Sequence, residues 1–425
     1  MSKIPYNKLY PEKFSAEDYV NPDTYKHTRA PVENALSIIP EAYSCKTFYR
    51  IEQERVFANS WVGVGCVDQL RKPSSAMVVQ VAGQSIIITR NKVGELRAFY
   101  NTCRHRGAKM LADDCHTLHG RRIRCPYHSW AYDLDGNCIG TPLFDGSDIP
   151  EEMQGAFSMG GVNTFAREDY PLFPVHVDSW GLLIFVNLSE NPEPLRTQLG
   201  DLPERLEEYR LDEWKVVGNK TFHFDANYKL VGENFMEYYH LPWVHPELIK
   251  VSRMEDHYRW QGKGMYTGMV TWPISQGDEG GWLGLPPVSS LGSKSRETGR
   301  FLWLFPNTAI SVMPNHVFVM LTKPNGPGKT IEDTYILCHP ESLEAEGSDA
   351  EVKQLDQFWT LVNNQDIDIV AQVQAGLTMK PYRGGRLCYK FEEPVHRYQN
   401  MIIDKMVGVE RVPEGDPEEM VQMFQ

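Results

Sequence analysis

Two short segments of the chain carry residues able to hold a soft metal. Residues 101–110 contain Cys103-x-His105 and residues 121–130 contain Cys125-x-x-His128, with nineteen residues between His105 and Cys125. Thiolate is a soft donor and imidazole an intermediate one, so two of each suit zinc or an iron–sulfur cluster. Zinc fingers usually pair Cys with Cys and His with His along the chain, whereas here each segment supplies one of each type. That alternation fits a [2Fe–2S] centre in which one iron takes both cysteines and the other both histidines, because two opposed loops can then each reach both irons. Gly107 lets backbone approach such a cluster, Pro126 stiffens the second loop, and Trp130 can shield it from water.

A second set lies in residues 227–248, NYKLVGENFMEYYHLPWVHPEL, where His240 and His245 follow Glu233 and Glu237. On a helix, Glu237 and His240 share a face at i, i+3, but His240 and His245 stand about 140° apart. Pro242 resolves the mismatch by breaking the helix after His240, so that the turn swings His245 back beside it. Two histidines lack the third ligand of the 2-His-1-carboxylate set that leaves Fe(II) open positions for oxygen. A late helix over 356–377 offers Asp366 and Asp368. Its residues Phe358, Val362, Ile369, Val370, Val373 and Leu377 form an apolar stripe, and Asp366 lies within it. An ionised carboxylate on a core-facing stripe is costly unless it is paired or bound to metal. Asp366 is therefore the ligand candidate and Asp368 a solvated residue.

The elements that must position these groups are read from period and punctuation. Five prolines in the first forty residues mark an extended arm. Short apolar or alternating runs from Trp61 to about Phe165, broken by Gly83 and by residues 91–94, form a small all-β unit. A strand at 180–188, a polar helix at 202–209, a strand at 215–224 and a helix at 228–239 follow. Strands recur between Met265 and His339, joined by Gly- and Pro-rich turns. Strands followed by packed helices indicate an α+β chain. The expected domains are an arm at 1–46, an all-β cluster domain at 47–165 and a mononuclear metal domain at 166–425. With a net charge of −13, the 425 residues disfavour a general grip on nucleic acid or anionic lipid. No apolar run approaches the ~18 residues of a bilayer span. The eight cysteines are too sparse for a secreted disulfide scaffold, which points to the cytoplasm.

With CRHRG and CPYHSW in place, the chain resembles the Rieske non-haem iron oxygenases, specifically their catalytic alpha subunits. Its layout is similar to the choline, glycine betaine and carnitine monooxygenase group more than to the naphthalene type. The resemblance implies an all-β Rieske [2Fe–2S] domain, a helix-grip catalytic domain with mononuclear Fe(II), and oxygen-type rather than quinol chemistry. Respiratory Rieske proteins carry an extra cysteine in each loop, where this chain has Ala108 and Tyr127; the usual Gly of the second loop is Ser129. The family places an aspartate eight residues before the Gln of a Q-x-G-L stretch, and Gln374 begins QAGL. Glu237 corresponds to a residue, most often Asp, that bridges the mononuclear iron and a neighbouring subunit's cluster histidine. A homotrimer or its multiple is implied, since head-to-tail packing joins the two centres. With no G-x-G-x-x-G after a strand, electrons are expected from a separate NAD(P)H-dependent flavin or iron–sulfur reductase, or a ferredoxin. O2 and a small molecule are the expected substrates, with hydroxylation or N-demethylation of a quaternary ammonium compound first in line. Aromatics such as Tyr266, Trp272, Phe301, Trp303 and Phe305 are candidates to cage its cation. An aromatic substrate, ring-hydroxylated or O-demethylated, is the alternative. A pure Rieske electron carrier is the alternative of another class, against which the long second ligand-bearing region argues.

Overall fold

The computed structural model describes residues 13–72, 75–113, 118–143, 165–250, 252–272 and 285–417, with Glu152, Ile274, Glu419 and Met420. The chain divides into two compact units, one made of residues 64–179 and 183–192, the other of the remainder. Strands of the smaller unit are β1 (Val62–Cys66), β2 (Ala76–Val81), β3 (Gln84–Arg90), β4 (Leu96–Tyr100), β5 (Ile123–Arg124), β6 (Ala131–Tyr132), β7 (Cys138–Gly140), β8 (Pro174–Trp180) and β9 (Leu183–Asn187). Six of them form one sheet in the order β1-β9-β8-β4-β3-β2, and β5-β6-β7 form a second. The β2–β3 turn is two residues long, with Ala82 and Gly83 both at positive φ. That backbone matches the twist of the flanking strands. The core gathers Ile87, Phe99, Ile123, Trp130, Tyr132 and Leu134 around both Cys103 and Cys125.

The larger unit is built on a seven-stranded antiparallel sheet. Its strands are β10 (Lys215–Phe224), β11 (His257–Arg259), β12 (Tyr266–Thr271), β13 (Gly299–Leu304), β14 (Thr308–Val312), β15 (Val317–Pro324) and β16 (Thr330–Cys338), in the order β10-β16-β15-β14-β13-β12-β11. Five helices bear on the site: α1 (Lys46–Glu52), α2 (Tyr228–Met236), α3 (Leu241–Val244), α4 (Ser348–Leu377) and α5 (Glu393–Val407). α2 lies over β13 and β15, α4 over β10, and α5 over β12. Gly232 makes the first contact possible: a Cβ there would stand 2.7 Å from the Trp303 ring, so only glycine lets α2 come down onto the sheet.

Several local readings change. The boundaries between the units fall near Gly63 and beyond Ser179, whereas the sequence punctuation suggests 46/47 and 165/166. The physical reason is packing. On α1, Phe48 and Ile51 are buried, and Glu52 meets Lys229 at 2.7 Å with both side chains fully enclosed; β8 and β9 extend the smaller unit's sheet. The arm from residue 13 onward is not merely extended. It forms short 3-10 turns and buries Tyr19, Tyr25, Ile38 and Ile39, with Ile38 N–H donating to Gln399 Oε1 at 2.9 Å. The polar helix at 202–209 splits into Leu202–Arg205 and a 3-10 turn. α4 starts at Ser348, a full two turns before Asp356. α5, with its nine buried residues, has no counterpart in the sequence reading, because its buried face mixes Gln399 and Asp404 with apolar groups. Among the described residues, no helix is long and apolar enough to cross a membrane.

Candidate metal centres

The two Cys/His loops of the smaller unit have nearly the same backbone. In the first, Cys103 N–H donates to Ala108 O (2.9 Å) and Gly107 N–H to Cys103 O (3.0 Å); in the second, Cys125 N–H donates to Trp130 O (2.8 Å) and Ser129 N–H to Cys125 O (3.1 Å). Each loop thus returns on itself with its fifth residue left-handed, Gly107 at φ +70° and Ser129 at φ +62°. The two sulfurs sit in the core, 3% and 2% exposed, while His105 is half-buried and His128 exposed at the tip. The two Nδ1 atoms converge at 3.2 Å, and Trp130 stacks on His105 at 5.0 Å and 8°. Burial pushes the Cys103 thiol up, with Tyr132 opposing and Cys125 adding to the rise; burial, His128 and Arg106 hold the His105 imidazole below its ordinary value. A buried sulfur pair beneath a pair of converging imidazole nitrogens fits a [2Fe–2S] cluster with one sulfur-ligated and one nitrogen-ligated iron.

Ser129 occupies a conformation that costs an L-residue about 1–2 kcal/mol, which explains the glycine usual at this place. Ser129→Gly is expected to stabilise the unit by about 1 kcal/mol, raising its melting temperature by roughly 4 °C in a thermal scan of the holoprotein. An unchanged or lower midpoint contradicts this reading. Tyr132 was not singled out from sequence, yet its hydroxyl lies 3.4 Å from Cys103 Sγ and accepts Arg104 N–H at 3.1 Å. A hydrogen bond to a ligand sulfur favours the reduced cluster. Tyr132→Phe is therefore expected to lower the cluster potential by about 40 mV, one hydrogen bond of ~1 kcal/mol on a one-electron couple. Redox titration followed by EPR checks it, and an unmoved potential removes Tyr132 from this role.

In the larger unit the chain folds around the second set differently from the helical reading. α2 ends at Met236, and Glu237 is extended, with φ −120° and ψ 160°. The Glu237–His240 pair therefore comes from a turn. Glu237 Oε2 accepts the N–H groups of Tyr239 and, at 3.2 Å, His240, and Glu237 Oε1 meets His240 Nδ1 at 2.5 Å. Pro242 does not terminate a helix; it stands in the first turn of α3, where its missing N–H costs nothing. α3 is one turn long and delivers His245 beside His240, with ring centroids 5.1 Å apart. Glu233, which the sequence places beside the histidines, turns to the arm and α5 instead, accepting Tyr43 OH at 2.8 Å and Gln399 Nε2 at 3.0 Å; burial pushes its carboxyl up to about 7.

Asp366 reaches both histidines from α4. Its Oδ1 lies 2.9 Å from His245 Nε2 and 3.8 Å from His240 Nε2, and one atom from each of the three falls within 4.8 Å of the others. The buried face of α4 runs Leu355, Trp359, Val362, Asn363, Val370 and Gln374, so Asp366 is on it; Val373 and Asp368 are exposed. Nδ1 of His245 meets Gln365 Oε1 at 2.7 Å, and Asn234 Nδ2 donates to Asp366 Oδ1 at 2.7 Å. Both histidines thus have their Nδ1 tied to an oxygen, leaving the two Nε2 atoms facing the carboxylate. Burial, which lowers the His245 imidazole, is outweighed by Asp366 and Gln365, so it sits above its ordinary value. Two imidazole nitrogens and one carboxylate oxygen converging in this way suit Fe(II), with positions left open. Gln365 and Asn234 carry no sequence signal beyond lying beside Asp366 and one turn after Leu230.

Next to Asp366 is a cavity of about 40 Å³, lined by Phe224, Phe235, Phe318, Met320, Trp359 and Asn363 among others. None of the five aromatics expected to form a cage lines it. Tyr266 instead donates to Asp201 at 2.6 Å, and Trp303 is enclosed beneath Gly232 and Tyr398. Side chains that face the sheet's other elements were indistinguishable by sequence from those facing α4.

A loop pair offering sulfur and nitrogen, in one unit, and a His-His-Asp set with an adjoining cavity, in the other, define a two-centre iron oxygenase subunit. The Rieske [2Fe–2S] domain model matches residues 60–158, and the ring hydroxylating alpha subunit catalytic domain model matches residues 211–408. The chain belongs to the Rieske non-haem iron oxygenases, as an alpha subunit with both cofactors of that family. It is 26% identical over 407 residues to the glycine betaine monooxygenase oxygenase subunit of Pseudomonas aeruginosa, covering 87% of this chain and 89% of that one. It is 26% identical over 377 residues to the carnitine monooxygenase oxygenase subunit of Escherichia coli, covering 87% and 91%. A solved quaternary ammonium Rieske monooxygenase, described for carnitine oxidation and inter-subunit electron transfer, shares the fold with a TM-score of 0.72 at 24% identity, covering 93% of this chain and 99% of that one.

Proposed function

We propose that this chain is the oxygenase component of a quaternary-ammonium monooxygenase. With O2 and two external electrons it hydroxylates a C–H bond beside the cationic nitrogen of a choline-, betaine- or carnitine-like compound, and a hydroxylated N-methyl leaves as formaldehyde. The observation that carries this reading is the aromatic cavity beside Asp366, since a trimethylammonium head is held by ring faces. The activities for which the relatives are named point to the same class.

In this reading Cys103, His105, Cys125 and His128 hold the [2Fe–2S] cluster, and His240, His245 and Asp366 hold the mononuclear iron. When bound, the cluster supplies stored electrons and the mononuclear iron supplies oxygen activation. The rest is the work of the chain. Glu237 and Gln365 each take an imidazole Nδ1 and so fix which nitrogen faces the metal. Asn234 orients Asp366 by donating to Oδ1. Phe224, Phe235, Phe318 and Trp359 keep the reacting region dry, which limits loss of reactive species to water. Glu237 also couples the two centres, its carboxylate on His240 being this protomer's half of a bridge to a neighbouring cluster. The subunits form a head-to-tail homotrimer or a multiple, a heterologous contact that closes as a ring. A separate reductase or ferredoxin feeds the cluster, and the unpaired cysteines among the described residues suit a cytoplasmic setting.

The test is oxygen uptake and formaldehyde release by the reconstituted holoenzyme with a generic reductase, over glycine betaine, carnitine, choline and, as the alternative, naphthalene and benzoate. Turnover coupled to formaldehyde with a methylammonium compound is the expected result. Coupled turnover confined to the aromatic compounds overturns the proposal in favour of ring hydroxylation.

A further inference from the structure

A fully buried imidazole of the larger unit takes no part in holding a metal. His316 closes the loop 313–316 between β14 and β15, where Val312 pairs with Val317 and Met313 N–H donates to His316 O at 2.9 Å. Alternation along the strand puts His316, Phe318 and Met320 on one side of the sheet. Phe318 and Met320 line the cavity beside Asp366; His316 lies behind them and does not.

His316 reaches the cavity wall through an indole. Trp359 Nε1 donates to His316 Nε2 at 3.0 Å, and the Trp359 ring lies flat on Phe318, with centroids 4.3 Å apart and planes 6° from parallel. Trp359 is itself part of the cavity wall, and on α4 it stands seven residues before Asp366, two turns away on the same face. The proton positions follow from the partners. An indole N–H can only donate, so His316 Nε2 presents a lone pair and the neutral ring carries its proton on Nδ1. Nδ1 meets Asn315 Oδ1 at 2.8 Å, while Asn315 Nδ2 donates to Leu285 O at 2.8 Å, which fixes the amide with its oxygen toward the imidazole. From Leu285 to Trp359, each donor of this chain has its acceptor. Burial holds His316 at about 3, so the imidazole stays neutral and the acceptor persists across the neutral range.

A tryptophan in a cavity wall can offer a ligand its ring face or its N–H. We infer that His316 is a positioning residue for the substrate: by engaging the indole N–H it keeps the Trp359 donor out of the cavity and, with the Phe318 stack, fixes the plane of the ring that a methylammonium head meets. The stack alone would leave the indole free to turn about the normal to its plane, and the hydrogen bond removes that freedom. A ring face held in one orientation binds a cation without first paying to order the side chain.

The substrate named here rests on the quaternary-ammonium reading, and the experiment separates the two. Oxygen uptake by the reconstituted holoenzyme is measured with glycine betaine, carnitine, choline, naphthalene and benzoate, and the compound that wild type turns over with the highest kcat/KM is the probe for the variants. His316→Phe removes the acceptor and keeps a buried ring. It is expected to raise KM about 10-fold, the effect of one buried donor deprived of its partner, and to leave kcat within about two-fold. His316→Leu is read in the same way if the Phe variant does not fold. His316→Gln, whose amide can accept from the indole and donate to Asn315, should return KM most of the way to wild type. Trp359→Phe keeps a ring against Phe318 but has no N–H, and in that background the His316 substitution should change KM by less than about two-fold. Ultraviolet resonance Raman difference spectra between wild type and Trp359→Phe isolate this indole, and its hydrogen-bonded N–H signature should be lost in His316→Phe. An unmoved KM, an equal loss in the Gln and Phe variants, the full effect persisting without the indole N–H, or an unchanged Raman signature overturns the positioning role. A wild type that turns over only naphthalene or benzoate overturns the methylammonium reading alone, and the same variants then decide His316 with that compound. A wild type inactive on all five overturns that reading and the substrate role of His316 with it.

Discussion

Asp366→Ala is expected to cost the enzyme one iron per chain and nearly all of its turnover, while leaving its red-brown colour intact. Asp366 is the carboxylate that faces His240 Nε2 and His245 Nε2, and Asn234 holds it there. Without it the two imidazoles offer only two protein ligands, too few to keep Fe(II) in place against water. Iron content should fall from about three to about two per chain, since the two Cys/His loops proposed to hold the cluster lie in the other unit. The several kcal/mol a metal contributes to such a reaction correspond to a loss of roughly 10³-fold or more. Metal analysis, the visible spectrum of the cluster and oxygen uptake are read on one preparation. A variant retaining three irons and full activity transfers the ligand role to another carboxylate, Asp368 being the neighbour to examine first.

Glu237→Gln is expected to retain both metals yet to lower turnover by about 10²-fold. The glutamine keeps an oxygen that can accept from His240 Nδ1, so the ligand stays oriented, but the negative charge that makes this bond strong is lost. Outer-sphere partners of metal ligands typically account for 10–100-fold in affinity or activity. The distinguishing measurement is a single turnover without reductase, starting from a reduced cluster. If Glu237 couples the centres, reoxidation of the cluster in the presence of substrate and O2 slows in proportion to turnover, whereas reduction of the cluster by the reductase does not. Loss of mononuclear iron with unaltered cluster reoxidation in the remaining loaded fraction confines Glu237 to holding His240.

The legible parts of the site were those whose chemistry is written in side-chain type. Cys103, His105, Cys125 and His128 stand in two self-closing loops, and a loop of that kind is local enough for sequence to specify. Asp366 emerges from asking which aspartate of α4 shares the buried face, a question of helical period. The path to His245 is different from the one its spacing suggests. Pro242 reads as a helix breaker, but α2 has already ended at Met236, and Glu237 shapes the turn by accepting two backbone N–H groups. Both arrangements bring His240 and His245 together, so the histidine pair could not reveal which one the chain adopts.

What the residues by themselves determined is the kind of chemistry: donor types, their spacing, and a carboxylate on a face where solvent cannot stabilise it. These are properties of single segments or single helical periods. Tertiary structure decided the rest: that Gln365 and Asn234 hold His245 and Asp366, that Tyr132 leans on the Cys103 sulfur, and that a ring wall drawn from β10, α2, β15 and α4 meets beside Asp366. Phe224 and Trp359 are 135 positions apart in the chain. An aromatic side chain in a strand looks the same in sequence whether it fills the core, as Trp303 does, or faces a cavity, because the difference lies in what other segments bring against it.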